Sequence, residues 1–178
     1  MTRRSLKPSA DILDLNIVPG SDVSDLEVQK ALRAALKFIS FRPRSTVEVD
    51  RKLSLKFEPE VIDKVRHWLL KNKYLDDRRF AVQWKDYRDR LRPRSLRMIQ
   101  WELSMMGVSE DIVNDLVNDV DEEENAYNAV IRFAYRKCHS GIDVDGVSRA
   151  IYPYLKRRGF DGSIIRSTMD RIAAELFS

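Results

Sequence analysis

The tetrapeptide Arg42-Pro43-Arg44-Ser45 returns unchanged as Arg92-Pro93-Arg94-Ser95, fifty positions later in a chain of 178 residues. Its chemistry predicts a joint between two helices. Proline disfavours the α conformation in the residue before it, so Arg42 and Arg92 should each end a helix. Serine is a preferred N-cap, because its hydroxyl accepts an otherwise orphaned backbone N–H, so Ser45 and Ser95 should open the next helix. Ser45-Thr46-Val47-Glu48 also has capping-box spacing. Read this way, the turn needs only its proline and serine, and the arginines are spare.

Sliding the sequence along itself extends the match. Leu53 and Leu103 each lie eight residues beyond the serine of the joint, and Ile62 and Ile112 keep a common offset. With a two-residue shift a third copy emerges: Leu103, Gly107, Val108, Ile112 and Val113 correspond to Leu155, Gly159, Phe160, Ile164 and Ile165. Upstream, Ala31, Ala81 and Ala129 sit in similar apolar-rich segments. In the third copy the joint is replaced by Gly141-Ile142-Asp143-Val144-Asp145-Gly146.

Each copy reads as three helices. Behind a capping-box pattern at Ser24–Glu27, the residues Val28, Leu32, Ala35, Leu36 and Ile39 recur at helical spacing. Pro59 suits a first helical turn and precedes Ile62, Val65 and Leu69. The second copy opens at Asp76 with Phe80, Trp84, Tyr87 and Leu91, continues through Leu96, Ile99 and Leu103, and ends with Ile112, Leu116 and Val120. The third runs through Ala126, Val130, Phe133 and Ala134, then Ile151 and Leu155, then Ile165, Met169, Ile172 and Leu176. The expected fold class is therefore all-α, an elongated array of three tandem three-helix repeats with nine main helices. The repeats should span 24–75, 76–121 and 122–178, behind a flexible leader over 1–23. Pro153 falls inside the eighth helix and should kink it or shift its ladder. Phe80, Trp84 and Tyr87 share one helical face and are expected in the core. The helix from Leu96 to Met106 carries a second apolar face, Met98, Trp101 and Met105, expected to pack on the neighbouring repeat.

Composition narrows the function. No apolar run approaches the ~20 residues that cross a bilayer, and the N-terminal MTRRSLKPSADILDL lacks the apolar stretch of a secretory signal. Cys138 is the one cysteine, so no internal disulfide framework exists, and a cytoplasmic address follows. His67 and His139 have no partners at zinc spacing, so no metal is expected. The six glycines form no dinucleotide or phosphate loop, and no serine sits in a nucleophile elbow. Consecutive acids Asp121–Glu124 suit the positive end of a helix better than a cation site. No catalytic residue, cofactor or enzyme activity is expected.

Charge is unevenly spread. Residues 78–97 hold eight Arg/Lys against two Asp, 102–124 hold nine Asp/Glu and no base, and 132–158 hold seven Arg/Lys against two Asp. Basic stripes on a soluble chain suggest an anionic partner. Lys85, Arg88 and Arg92 recur at helical spacing and lead into Arg94 and Arg97. Arg132, Arg136 and Lys137 share one helix, and Lys156, Arg157 and Arg158 lie on the next. With Arg42 and Arg44 these are the candidate partner- or DNA-binding residues, expected to line one side as a cationic track.

Lys73-Tyr74-Leu75-Asp76-Asp77-Arg78-Arg79-Phe80-Ala81 resembles the G-Y-L-N/D-D-x-x-F-A signature of the RecX family, regulators of the bacterial RecA recombinase. Trp101-Glu102-Leu103 through Gly107-Val108 is similar to its x-E-L-x-x-K-G-I motif, and Leu155-Lys156-Arg157-Arg158-Gly159-Phe160 to its L-x-R-R-G-F motif. With the opening around Arg42–Ser45, the resemblance covers about residues 27–177. It departs at Lys73, where the family has glycine, and at Pro153. It implies a non-catalytic modulator, usually an inhibitor, of RecA in homologous recombination, DNA repair and the SOS response. Such a protein lies in the groove of the RecA–single-stranded DNA filament, and a monomer is expected. The alternative is a direct DNA-binding protein of helix-turn-helix type, with Arg97 and Gln100 toward base edges; the acidic segment 111–119 argues against it. A helical adaptor for an unrelated protein is a third reading.

Overall fold

The computed structural model describes residues 23–117 and 121–177. Among them nine helices and no strand occur: α1 (Val23–Phe41), α2 (Thr46–Leu53), α3 (Pro59–Lys71), α4 (Asp77–Leu91), α5 (Leu96–Met105), α6 (Glu110–Val117), α7 (Glu122–His139), α8 (Val144–Arg157) and α9 (Gly162–Phe177). The expected leader and Val120 lie outside the described residues. Two compact units result. Of the described residues, the first holds those up to Phe80 together with Met106–Val108; the second holds Ala81–Met105 and those from Ser109.

Local chemistry sets most helix ends as the residue pattern predicts. Ser45 caps α2 with a full capping box, its hydroxyl accepting from the Glu48 N–H while the Glu48 carboxylate accepts from the Ser45 N–H. Pro59 occupies the first turn of α3. Asp76 accepts from Arg79 N–H at the start of α4, Asp121 from Glu124 N–H at the start of α7, and Asp143 from Gly146 N–H at the start of α8. α1 begins at Val23 among the described residues, and the expected Ser24 cap rests on a side chain outside them.

In the first unit α1, α2 and α3 close around Ala31, Leu32, Ala35, Val49, Leu53, Val65 and Leu69. In the second, α7, α8 and α9 close around Ala126, Val130, Ala134, Ile151, Leu155, Phe160, Ile165 and Ile172. Apart from Val49, these are positions read from the repeat, because one face of each helix must be removed from water. α8 runs unbroken through Pro153, which removes one hydrogen bond from its ladder. Pro153 faces solvent between the buried Ile151 and Leu155, and the carbonyl deprived of a donor belongs to Arg149, also exposed.

α3 ends in a departure from glycine. Lys73 has φ +59°, the single non-glycine residue with positive φ among those described. The chain reverses there, with Tyr74 and Leu75 N–H both returning to the Leu69 carbonyl, and the Tyr74 ring stacks on Trp68 at 5.5 Å. A glycine would adopt this conformation without the steric cost of a Cβ. Lys73→Gly should therefore raise unfolding stability by about 0.5–1 kcal/mol, since relief of left-handed strain exceeds the added chain entropy. A urea midpoint below that of the native chain would contradict this account of the turn.

Candidate partner-binding surface

Both Arg-Pro-Arg-Ser joints are built into the interior at their serine and reach the surface at their first arginine. Ser45 is 0% exposed and Ser95 1%. Beyond capping α2, the Ser45 hydroxyl donates to the Met106 carbonyl, and the adjacent Gly107 adopts φ +81° against Val47. A Cβ on Gly107 would stand 2.5 Å from that valine. The second joint repeats the arrangement. Ser95 N–H donates to the Arg158 carbonyl at 3.0 Å, and Gly159, φ +88°, comes so close that a Cβ would lie 2.6 Å from Ser95 Oγ. Each joint thus receives a glycine turn from farther along the chain.

A carboxylate completes each joint. Asp77 accepts from the Thr46 N–H at 2.8 Å and the Thr46 hydroxyl at 3.1 Å; Glu122 accepts from the Leu96 N–H at 3.0 Å. Both acids stand at the first position of a helix, α4 or α7, and both satisfy an orphan donor at the start of another, α2 or α5. Asn125 adds a bond to the Arg94 carbonyl. This is a tertiary use of residues whose sequence suggested only local capping. Near the first joint, burial holds the Asp50 carboxyl above the ordinary range; Arg66 opposes that shift and Asp77 reinforces it.

Three of the four joint arginines, Arg42, Arg44 and Arg94, are not spare, which corrects the simplest reading of the turn. Arg42 Nη2 and Arg44 Nη1 both meet Glu48 Oε1, at 2.6 and 3.1 Å, and Arg44 lies 3.8 Å over the Phe38 ring. In the second joint Arg94 reaches Glu102, which is only 7% exposed. Arg88 binds the same carboxylate through Nε and Nη2 at 2.8 and 2.9 Å, and Trp84 Nε1–H donates to it at 2.8 Å. Trp84 is thus half-buried against a polar cluster, while Tyr87, expected in the core, is 48% exposed. The packing expected of the second face of α5 is likewise partial: Met98 lies against Gly159, but Trp101 and Met105 are each 58% exposed.

The thirteen candidate cations fall into two groups. Arg44, Lys85, Arg88, Arg94, Lys137 and Arg158 are half-buried. Lys85 pairs with Asp89 at 2.7 Å, Lys137 lies over Phe133, and Arg158 stacks on Tyr154 and donates to the Pro93 carbonyl at 3.0 Å. Arg42, Arg92, Arg97, Arg132, Arg136, Lys156 and Arg157 are exposed, Arg42 while still holding Glu48. Arg97 and Lys156 line a shallow cleft in the second unit with Met98, Glu122 and Phe160. Among the described residues no group of three His, Cys, Asp or Glu side chains is placed to hold a metal ion, and no helix is long and apolar enough to cross a membrane.

The family model described as RecX, first three-helix domain, matches residues 31–69, within α1–α3. The regulatory protein RecX of Chlorobium limicola is 30% identical over 151 residues, covering 84% of this chain and 94% of that one. The chain belongs to the RecX family. The regulatory protein RecX of Bacillus subtilis is 28% identical over 177 residues, covering 98% of this chain and 66% of the relative. The crystal structure of RecX from Lactobacillus salivarius shares the fold with TM-score 0.68 at 22% identity, covering 84% of this chain and 99% of that one. A regulatory role follows from membership. The RecX signature also gains a structural meaning here: of its paired acids, Asp76 caps α4 and Asp77 closes the first joint.

The two arginines of the second joint should separate experimentally. Arg94→Glu places a second carboxylate against the buried Glu102 and should cost roughly 3 kcal/mol or more, as breaking a buried ion pair does. Arg92→Glu should change stability by no more than about 0.5 kcal/mol. Equal melting temperatures for the two variants would refute the division of roles.

Proposed function

We propose that this chain modulates a RecA-type recombinase by binding its filament on single-stranded DNA, with inhibition as the outcome. The reading is supported by membership in a family of regulatory proteins and by seven exposed cations at and beyond the joints. Exposed cations suit an anionic partner, whether acidic protein surface or phosphate, and among the described residues only Arg42 of these seven is also engaged in holding the fold, through Glu48. The three repeats read over 24–75, 76–121 and 122–178 would each contribute one joint region to a partner that itself repeats. The protein acts as a cytoplasmic monomer, without catalysis or cofactor.

The observation that carries the reading is the exposure of Arg92 and Arg157, neither of which sits on a carboxylate among the described residues. Purified chain should lower the DNA-dependent ATPase of a bacterial recombinase near stoichiometric ratio while hydrolysing no nucleotide itself. Its filament affinity should fall as salt rises from 0.1 to 1 M, because the Debye length shrinks from about 10 to about 3 Å. Arg92→Glu combined with Arg157→Glu should fold normally and bind the filament roughly tenfold or more weakly. Full binding to bare DNA of equal length, with no preference for the filament, would replace this reading by direct DNA binding.

A further inference from the structure

The three helices that lead into the joints end at the same register. α1 ends at Phe41, α4 at Leu91 and α7 at His139, each four residues before the N-cap of the following helix, Ser45, Ser95 or Asp143. Phe41 is 75% exposed and Leu91 66% exposed, the highest values among the large apolar residues of their helices. One turn earlier, Tyr87 on α4 and Tyr135 on α7 again share a register and are both exposed. Tyr135 stacks on the exposed His139 at 4.2 Å. An exposed arginine follows Phe41 and Leu91, namely Arg42, which also holds Glu48, and Arg92; on α7 the exposed Arg136 follows Tyr135.

Single exposed apolar residues are ordinary, and any one of these would need no explanation. Recurrence at one register is different. The core positions of the repeats recur because packing demands them, whereas nothing inside the fold demands an exposed Phe or Leu at a helix end. Nor does the joint, whose proline and serine do their work without it. A ring or branched apolar group flanked by an arginine is the composition that dominates protein–protein binding energy, since it fills a pocket while the cation meets a carboxylate at the rim. Phosphate would use the arginine and leave the apolar group in water.

We propose that the C-terminal ends of α1, α4 and α7 are repeated docking points for a protein that presents an apolar pocket beside a carboxylate more than once along its length. Resting on the reading above, this assigns contact with the recombinase protomers, not DNA, to the ends of the lead helices. Because the points belong to one chain, engagement of one raises the effective concentration of the others.

The test compares the full chain with Phe41→Ser and Leu91→Ser at the helix-end docking points (the ridges), the double variant, and Leu55→Ser as an exposed apolar control outside them. Binding is measured to a recombinase filament on single-stranded DNA and to bare DNA of the same length. Each ridge variant should bind the filament roughly tenfold more weakly, and the double variant more weakly still, with unchanged affinity for bare DNA and an unchanged circular dichroism melt. Leu55→Ser should match the native chain. If the native chain binds the filament and the double variant binds equally well, the ridges are not docking points although the regulatory reading stands. A native chain that ignores the filament overturns both. Equal losses on bare DNA, or a native dimer that the double variant breaks, would assign the ridges to DNA or to a second copy and overturn the proposal.

Discussion

A helix begins with backbone N–H groups that no residue of its own can satisfy, and here carboxylates from another helix take them up. Asp77 closes the start of α2 and Glu122 the start of α5, while a buried serine caps each start from within. An unpaired donor at these places would cost about 1–3 kcal/mol, because burial of the joint keeps water away. This requirement links the acids that open α4 and α7 to joints 31 and 26 residues earlier. The glycine turns obey the same constraint. Only a residue without Cβ lets the backbone at Gly107 and Gly159 approach close enough for Met106 and Arg158 to offer their carbonyls to the joints.

What was legible in the sequence is what local chemistry decides. Pro43, Ser45 and Glu48 specify a stop, a cap and a capping box within a few residues, and the structure reproduces them. The apolar periodicity of Val65 and Leu69, or of Ile151 and Leu155, names the buried face directly. Pro153 costs one rung of the ladder without ending the helix. Its missing hydrogen bond falls on the solvent side, where the fixed faces at Ile151 and Leu155 hold the helix through it.

The partners of the arginines were not legible, because pairing across elements has no sequence period. Arg44 and Arg94 occupy identical places in identical tetrapeptides, yet one meets Glu48 four residues on and the other Glu102 eight residues on. Arg88 carries no mark that distinguishes it from Arg92, four residues later. The one clue lay in Glu102, the lone acid of its helix, placed beside Leu103. A carboxylate that must be buried draws its cations inward, and Arg88 and Arg94 of the basic stripe follow it.

That division constrains how the surface can work. Cations locked on Glu102 or stacked on Phe38 and Tyr154 have lost their freedom to meet a partner without breaking the fold. Arg88 and Arg94 are therefore structural wherever a partner binds, and charge-reversal experiments that include them measure unfolding as well as recognition. The cations that remain free stand on the solvent side of the joints or of α7 and α8. Arg42 and Arg92 share one place in the repeat, and the joint that exposes Arg92 buries Ser95 three residues later. Burial and exposure thus fall within one tetrapeptide, so the serine serves the fold while the first arginine stays in solvent.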